Sequence, residues 1–302
     1  MSSPIEVFDY CQTIGISLLL IITIPTASYV YSKLLFSPKF LESYTFKLIV
    51  FNGTAELLNI VMYLFVFQLA SFSFMRDFYL YVQKHNLATP LAATNTLFGA
   101  LALHSSLFVA LNRAKTMLFF HRSDSDCPFF IISITLTMLL TLPSLLNYIF
   151  TTTEYIEIEI GGESILIPNA CVTNDIFRTI QIYINAIVSL LTFLVNILLC
   201  ILISRERKFI SNSERQKFKV EKALVLTSVA SYATYMVYFV NSQIAEHLHV
   251  LFCGYAQWLF QGIKSMTPFW CLIVFTPSVR RLLYNGERTK TITTVQANTF
   301  TA

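Results

Sequence analysis

The chain has 302 residues, 55% of them hydrophobic and 13% charged, with a formal net charge of +4 and a mean hydropathy of +0.62. Soluble domains carry about 25% charged residues; here the charges gather in short stretches between long apolar runs that lack the polar face a water-soluble helix needs, which excludes a soluble globular domain. Six cysteines without a CxxC pair exclude a disulfide scaffold, and no basic patch outside the loops points to nucleic acid.

Seven stretches between charges are each long enough to cross a hydrocarbon core of about 30 Å, which takes about 20 residues of helix. In chain order they predict spans at 12–35, 45–69, 89–119, 128–150, 176–203, 223–244 and 251–276. Of the stretches themselves, only Glu56 breaks the second, Lys47 to Arg76, and only Lys264 the seventh, Glu246 to Arg280. The first is read as a retained span, because Glu6 and Asp9 precede it rather than basic residues. Orientation follows from Lys and Arg in the loops. With the N-terminus outside, 17 of the 21 fall on inner segments, Arg76, Lys84 and Arg178 on outer ones, and Lys264 in the membrane. The expected fold is an all-α membrane protein, a seven-transmembrane helix bundle. An extracellular N-terminus (1–11), the bundle (12–276) and a cytoplasmic tail (277–302) make up the chain, and the tail after Tyr284 is expected to be disordered. In the second outer loop, Tyr155-Ile156-Glu157-Ile158-Glu159-Ile160 alternates with period two before Gly161-Gly162, and Ser164–Ile167 follows. That pattern predicts a short β-hairpin over the outer mouth.

Within the spans, polar residues recur at steps of three or four and so share one helix face. They are Asn52, Glu56 and Asn59 in the second span and Gln181, Asn185, Ser189, Thr192 and Asn196 in the fifth. The sixth has Thr227, Ser231, Thr234 or Tyr235, Tyr238 and Asn241, and the seventh Gln257, Gln261, Lys264 and Pro268. In lipid such faces turn toward neighbouring helices. They hold helices together, and in the outer half they are expected to line a ligand cavity, for which Asn95, Phe98, Gln181, Tyr235, Tyr238, Trp258 and Gln261 are the candidates. Glu56 and Lys264 are ionisable groups near mid-depth, which are costly unless paired or functional. They are expected to form an intramembrane pair; the alternative is a snorkelling lysine and a protonated glutamate. His85, His104, His121, His247 and His249 form no metal-ligand pattern, and Asn52-Gly53-Thr54 lies inside a span, where no glycan is expected.

Three motifs carry a family resemblance: Leu111-Asn112-Arg113-Ala114-Lys115 at the inner end of the third span, Val220-Glu221-Lys222-Ala223-Leu224 at the start of the sixth, and the run Pro268–Arg281 closing the seventh. In this order they resemble the nematode serpentine chemoreceptors of the gamma, U, V and X group, class V most of all. The resemblance covers about residues 12–284. It implies a G-protein-coupled chemosensory receptor, not an enzyme, in the plasma membrane of a sensory neuron, at its cilium. The partners implied are a small-molecule or pheromone ligand, a heterotrimeric G protein and the lipid bilayer, with a homo- or heterodimer left open and no cofactor. Asn112, Arg113, Lys115, Lys222 and Arg280 would border the G protein; the alternative for Arg113 is an anchor to lipid phosphate.

The sequence also departs from rhodopsin-like receptors. Arg113 matches the arginine of their Asp-Arg-Tyr motif, but Asn112 replaces the acid, which puts the usual resting-state lock in doubt. The sixth span has no proline, and Gln261 stands where opsins carry the retinal lysine, so no retinal Schiff base is expected. The usual disulfide to the outer end of the third helix lacks its cysteine, since 85–97 contain none. Cys11, Cys171 and Cys253 lie outside and allow at most one bridge, Cys11–Cys253 or Cys171–Cys253; Cys127 is inside and expected to be reduced. A small-solute transporter and a ligand-gated channel subunit are the rival readings. The first would show an internal repeat with broken helices, and none is visible.

Overall fold

The computed structural model describes residues 4–36, 44–118, 127–149, 151–160, 163–172, 175–206, 215–247 and 251–284. The described elements are α1 (Pro4–Phe36), α2 (Tyr44–Tyr63), α3 (Arg76–Lys84), α4 (Ala88–Leu118), α5 (Cys127–Ile149), β1 (Thr151–Ile160), β2 (Glu163–Val172), α6 (Asp175–Glu206), α7 (Arg215–His247), α8 (Leu251–Phe275) and α9 (Pro277–Tyr284). The spans are α1, α2, α4, α5, α6, α7 and α8. Six of them are long and apolar enough to cross a membrane by length and composition. The seventh, α8, has 25 residues, which at 1.5 Å each reach about 37 Å; Gln257, Gln261 and Lys264 dilute its hydropathy. The molecule is thus a seven-helix membrane bundle.

Burial follows the polar stripes. Asn52, Glu56, Asn59, Thr192, Asn196, Thr227, Asn241, Gln261 and Lys264 are all buried, whereas Ile131, Leu139, Ile187, Leu190 and Leu194 are exposed. The bundle is inverted relative to a soluble one, with apolar groups facing lipid. α5 adds a stripe of its own. Ser133, Thr137 and Thr141 are buried at four-residue steps, and each hydroxyl donates to the carbonyl one turn back, so they enter the interior at no hydrogen-bonding cost. Gly53 of α2 makes room for the Tyr31 side chain of α1: an added Cβ would stand 2.1 Å from the Tyr31 hydroxyl.

The outer cap is more elaborate than the sequence suggested. β1 and β2 pair antiparallel from Thr151↔Val172 to Ile160↔Glu163, ten residues each, enclosing Gly161-Gly162. That glycine pair, the tail beyond 284, His121 and His249, and the side chains of Cys127, His247 and Cys253 lie outside the described residues. The Tyr155 N–H turns away from β2 to donate to Gln83 Oε1 at 3.0 Å. The Tyr155–Pro168 pair is therefore non-hydrogen-bonded, and Pro168 forfeits no ladder bond. Thr153 N–H likewise donates to Thr89 Oγ1 at 2.9 Å.

Beneath the hairpin, α2 ends in a π-helical turn, Leu64–Gln68, which alters the regular i→i−4 ladder. Tyr79 of α3 donates to the Phe65 carbonyl, and Tyr155 of β1 donates to the Val66 carbonyl at 3.1 Å. The two rings lie 4.9 Å apart. Burial pushes the Tyr79 hydroxyl up to about 12 and raises that of Tyr155 as well, so both stay protonated donors at physiological pH. α3 closes with a Schellman motif: Asn86 takes φ 55, Asn86 N–H bonds to Gln83 O, and Leu87 N–H bonds to Val82 O. At the inner end, Pro277 opens α9, which packs Val279 into the cluster of Val30, Leu34 and Leu272 and leaves Arg280 and Arg281 exposed. The segment after the seventh span thus begins as a helix lying against the bundle.

Candidate functional site

Three polar layers occupy the bundle interior. At mid-depth, Lys264 Nζ of α8 lies 3.3 Å from Glu56 Oε2 of α2, with both side chains nearly inaccessible to solvent. Ser265 donates to the same carboxylate oxygen at 3.2 Å. The ammonium also stands 5.2 Å from the Tyr238 ring centroid and 5.9 Å from that of Tyr235, both on α7, within reach of cation–π attraction. Pro268 removes the N–H that would bond the Lys264 carbonyl, so the helix is weakest where its charge sits. The structure therefore brings Glu56 and Lys264 together and adds Ser265, which no charge pattern could reveal.

The same layer is bound across the bundle. Asn52 donates to Ala102 O at 2.8 Å and to Ser105 Oγ at 2.9 Å. Tyr232 donates to Ser189 O at 2.9 Å, and the Tyr235 hydroxyl lies 3.3 Å from Ser189 Oγ. His104 is fully buried, with Nδ1 3.0 Å from Thr141 Oγ1 and Nε2 3.1 Å from Asn185 Oδ1, which joins α4, α5 and α6. A cavity of about 40 Å³ lies among Asn52, Glu56, Asn196, Ser228, Ser231 and Tyr235, with room for roughly three waters.

Toward the outer side, the candidates disperse. Of the seven proposed ligand contacts, Tyr235 lines that cavity, and Tyr235 and Tyr238 face Lys264. Phe98 packs against Ala55, Leu101 and Ala102, and Gln181 is half-buried. Trp258 is 1% exposed and stacks on Tyr63 at 5.5 Å with 7° between the planes. Trp258 Nε1, Gln261 Oε1 and Asn95 Oδ1 are buried without a hydrogen-bond partner. Each such atom costs about 1–3 kcal/mol, so the outer half holds one donor and two acceptors with unfilled capacity. Cys11 and Cys171 are exposed and unbridged among the described residues; the side chain of Cys253, the partner that the sequence offers to either, lies outside them.

The inner layer centres on Arg113, which has no solvent exposure. Its Nη1 donates to Glu221 Oε2 at 2.6 Å and its Nη2 to Thr45 Oγ1; Asn112 donates to the same hydroxyl at 2.8 Å. The counter-charge missing beside Arg113 in sequence comes from Glu221 on α7, 108 residues away. The ion pair is thus made directly between the third and sixth spans. Lys115 lies 5.4 Å from the Phe129 ring centroid, Lys222 is half-buried, and Arg280 is exposed.

The fold has a counterpart among solved structures. The crystal structure of squid rhodopsin superposes with a TM-score of 0.62 at 13% sequence identity, covering 94% of this chain and 86% of that chain. The chain has the rhodopsin-type seven-helix fold. No family model matches the sequence, and no curated protein is significantly similar to it. Within the rhodopsin-type fold, α1, α2 and α4–α8 take the places of the seven spans in order, and β1–β2 lies in the second outer loop.

Proposed function

We propose that the protein is a G-protein-coupled chemosensory receptor that takes a small-molecule or pheromone ligand between the outer halves of α4, α6, α7 and α8. The observation that carries this reading is the Arg113–Glu221 ion pair at the inner end of a rhodopsin-type bundle. It ties α4 to α7 where a cytoplasmic partner would have to enter, so it must break for the inner face to open. Ligand binding would shift a two-state bundle toward that open form. The partnerless Trp258 Nε1, Gln261 Oε1 and Asn95 Oδ1 suit a ligand with both donor and acceptor groups. Arg113, Asn112, Lys115, Lys222 and Arg280 would meet an acidic G-protein surface once exposed. The plasma membrane of a sensory cilium is the location that the serpentine resemblance implies.

The test is a ligand screen in a reporter cell expressing this chain with and without a heterotrimeric G protein. A ligand-dependent second-messenger response that requires the G protein supports the proposal. Ligand-dependent current that persists without the G protein would overturn it in favour of a channel, and substrate accumulation would do so in favour of a transporter.

A further inference from the structure

α7 packs extensively along α8 but sparsely against α6. The separation leaves a groove of about 570 Å³ on the lipid-facing side of α6 and α7, within the size range of ligand sites. Its walls include Phe193, Ile197 and Ile201 of α6 and Ala233 and Met236 of α7, with Arg205 at the inner mouth. Twelve residue steps separate Phe193 from Arg205, about 18 Å along the helix axis. One leaflet of the hydrocarbon core is about 15 Å deep. The groove therefore runs from the bilayer midplane to the inner headgroup level and ends on a cation. Arg205 is exposed and makes no ion pair among the described residues.

We infer that this groove is a binding site for one anionic phospholipid of the cytoplasmic leaflet, its headgroup phosphate on Arg205 and an acyl chain lying along α6 toward Phe193. Charge decides the occupant: the inner leaflet carries the anionic lipids, and an apolar trough with one basic end matches a chain with one acidic end. Asn196 and Tyr232 line both this groove and the interior cavity, so they alone separate the lipid from the polar core at that point. Their polar groups are satisfied from within, Asn196 by Thr192 O and Ser228, and Tyr232 by Ser189 O.

The test uses the full chain in phosphatidylcholine nanodiscs containing a minority of phosphatidylserine with a photoreactive diazirine in its acyl tail. After irradiation, adducts are mapped by mass spectrometry. The expected result is adducts concentrated at 193–205 and 229–236, reduced by unlabelled phosphatidylserine and not by extra phosphatidylcholine. Arg205→Gln should weaken capture about fivefold, the worth of one basic residue at a membrane surface. Ala233→Phe should fill the groove and reduce capture similarly. Leu194→Phe, exposed on α6 outside the groove, should leave it unchanged. Adducts spread evenly around the bundle, capture indifferent to Arg205→Gln in a variant that stays monodisperse, or cross-links between two copies of the chain at the groove would each overturn the inference. The readout is lipid capture, so the outcome is independent of whether the protein signals.

Discussion

Removing the carboxylate of Glu221 should free the inner end of α7. Arg113 has no solvent exposure, and its partner's side chain is 13% exposed at 2.6 Å, so the pair is scarcely screened. In Glu221→Gln the amide oxygen can still accept from Arg113, and the loss is the difference between a charged and a neutral hydrogen bond. That difference is about 1–1.5 kcal/mol, or roughly tenfold in the equilibrium between closed and open forms. Glu221→Ala removes the acceptor altogether and leaves a buried guanidinium with Thr45 alone, which costs the closed form about 3–5 kcal/mol, more than a hundredfold. If the open form exposes Arg113 to water or to a partner, the whole of that cost biases the protein toward it. The assay is ligand-free nucleotide exchange on a heterotrimeric G protein with receptor in nanodiscs, normalised to folded protein. Basal exchange should rise in the order wild type, Glu221→Gln, Glu221→Ala. Exchange by Glu221→Ala equal to wild type, with the protein folded, would refute the idea that this pair holds the inner face shut.

Other consequences concern the remaining layers. Lys264→Met strands the Glu56 carboxylate at mid-membrane and should lose about 3–5 kcal/mol, while Glu56→Gln keeps an acceptor for the ammonium and should lose about 1–1.5 kcal/mol; both should reach the cell surface less well. The double variant should recover most of the loss, and surface immunostaining of the three makes the comparison. Tyr155→Phe deletes the donor to Val66 O and should cost about 1 kcal/mol, seen as faster amide exchange across 151–172 with little change inside the bundle. Gly53→Ala drives a methyl into the Tyr31 hydroxyl and should cost about 1–3 kcal/mol by overpacking; a thermal midpoint in detergent equal to wild type would contradict the close approach of Tyr31 to Gly53. His104→Leu should lower that midpoint too, because it leaves Thr141 and Asn185 facing an apolar side chain between three helices.

The bundle could be read from the sequence because lipid imposes one-dimensional rules. A span needs a minimum apolar length, and basic residues mark the cytosolic side. The hairpin was legible for a similar reason: alternation over 155–160 and a glycine pair are local signals. What could not be read depends on contacts between distant segments. Asn112 suggested an arginine without a lock, since nothing in the motif says that Glu221 will arrive across α4 and α7. The α5 stripe of Ser133, Thr137 and Thr141 is silent in the sequence because each hydroxyl is satisfied by its own helix, so nothing in composition separates it from a lipid-facing run. The seven outer candidates were chosen by depth and residue type. Depth alone does not tell a ring stacked on Tyr63, as Trp258 is, from one facing a cavity.

The outer hairpin is fastened to its neighbours by the Tyr155 hydroxyl, two backbone amides and the exposed Arg76–Glu157 pair. Each of these contacts can break and re-form singly, so the cap can loosen at one edge while the other stays seated.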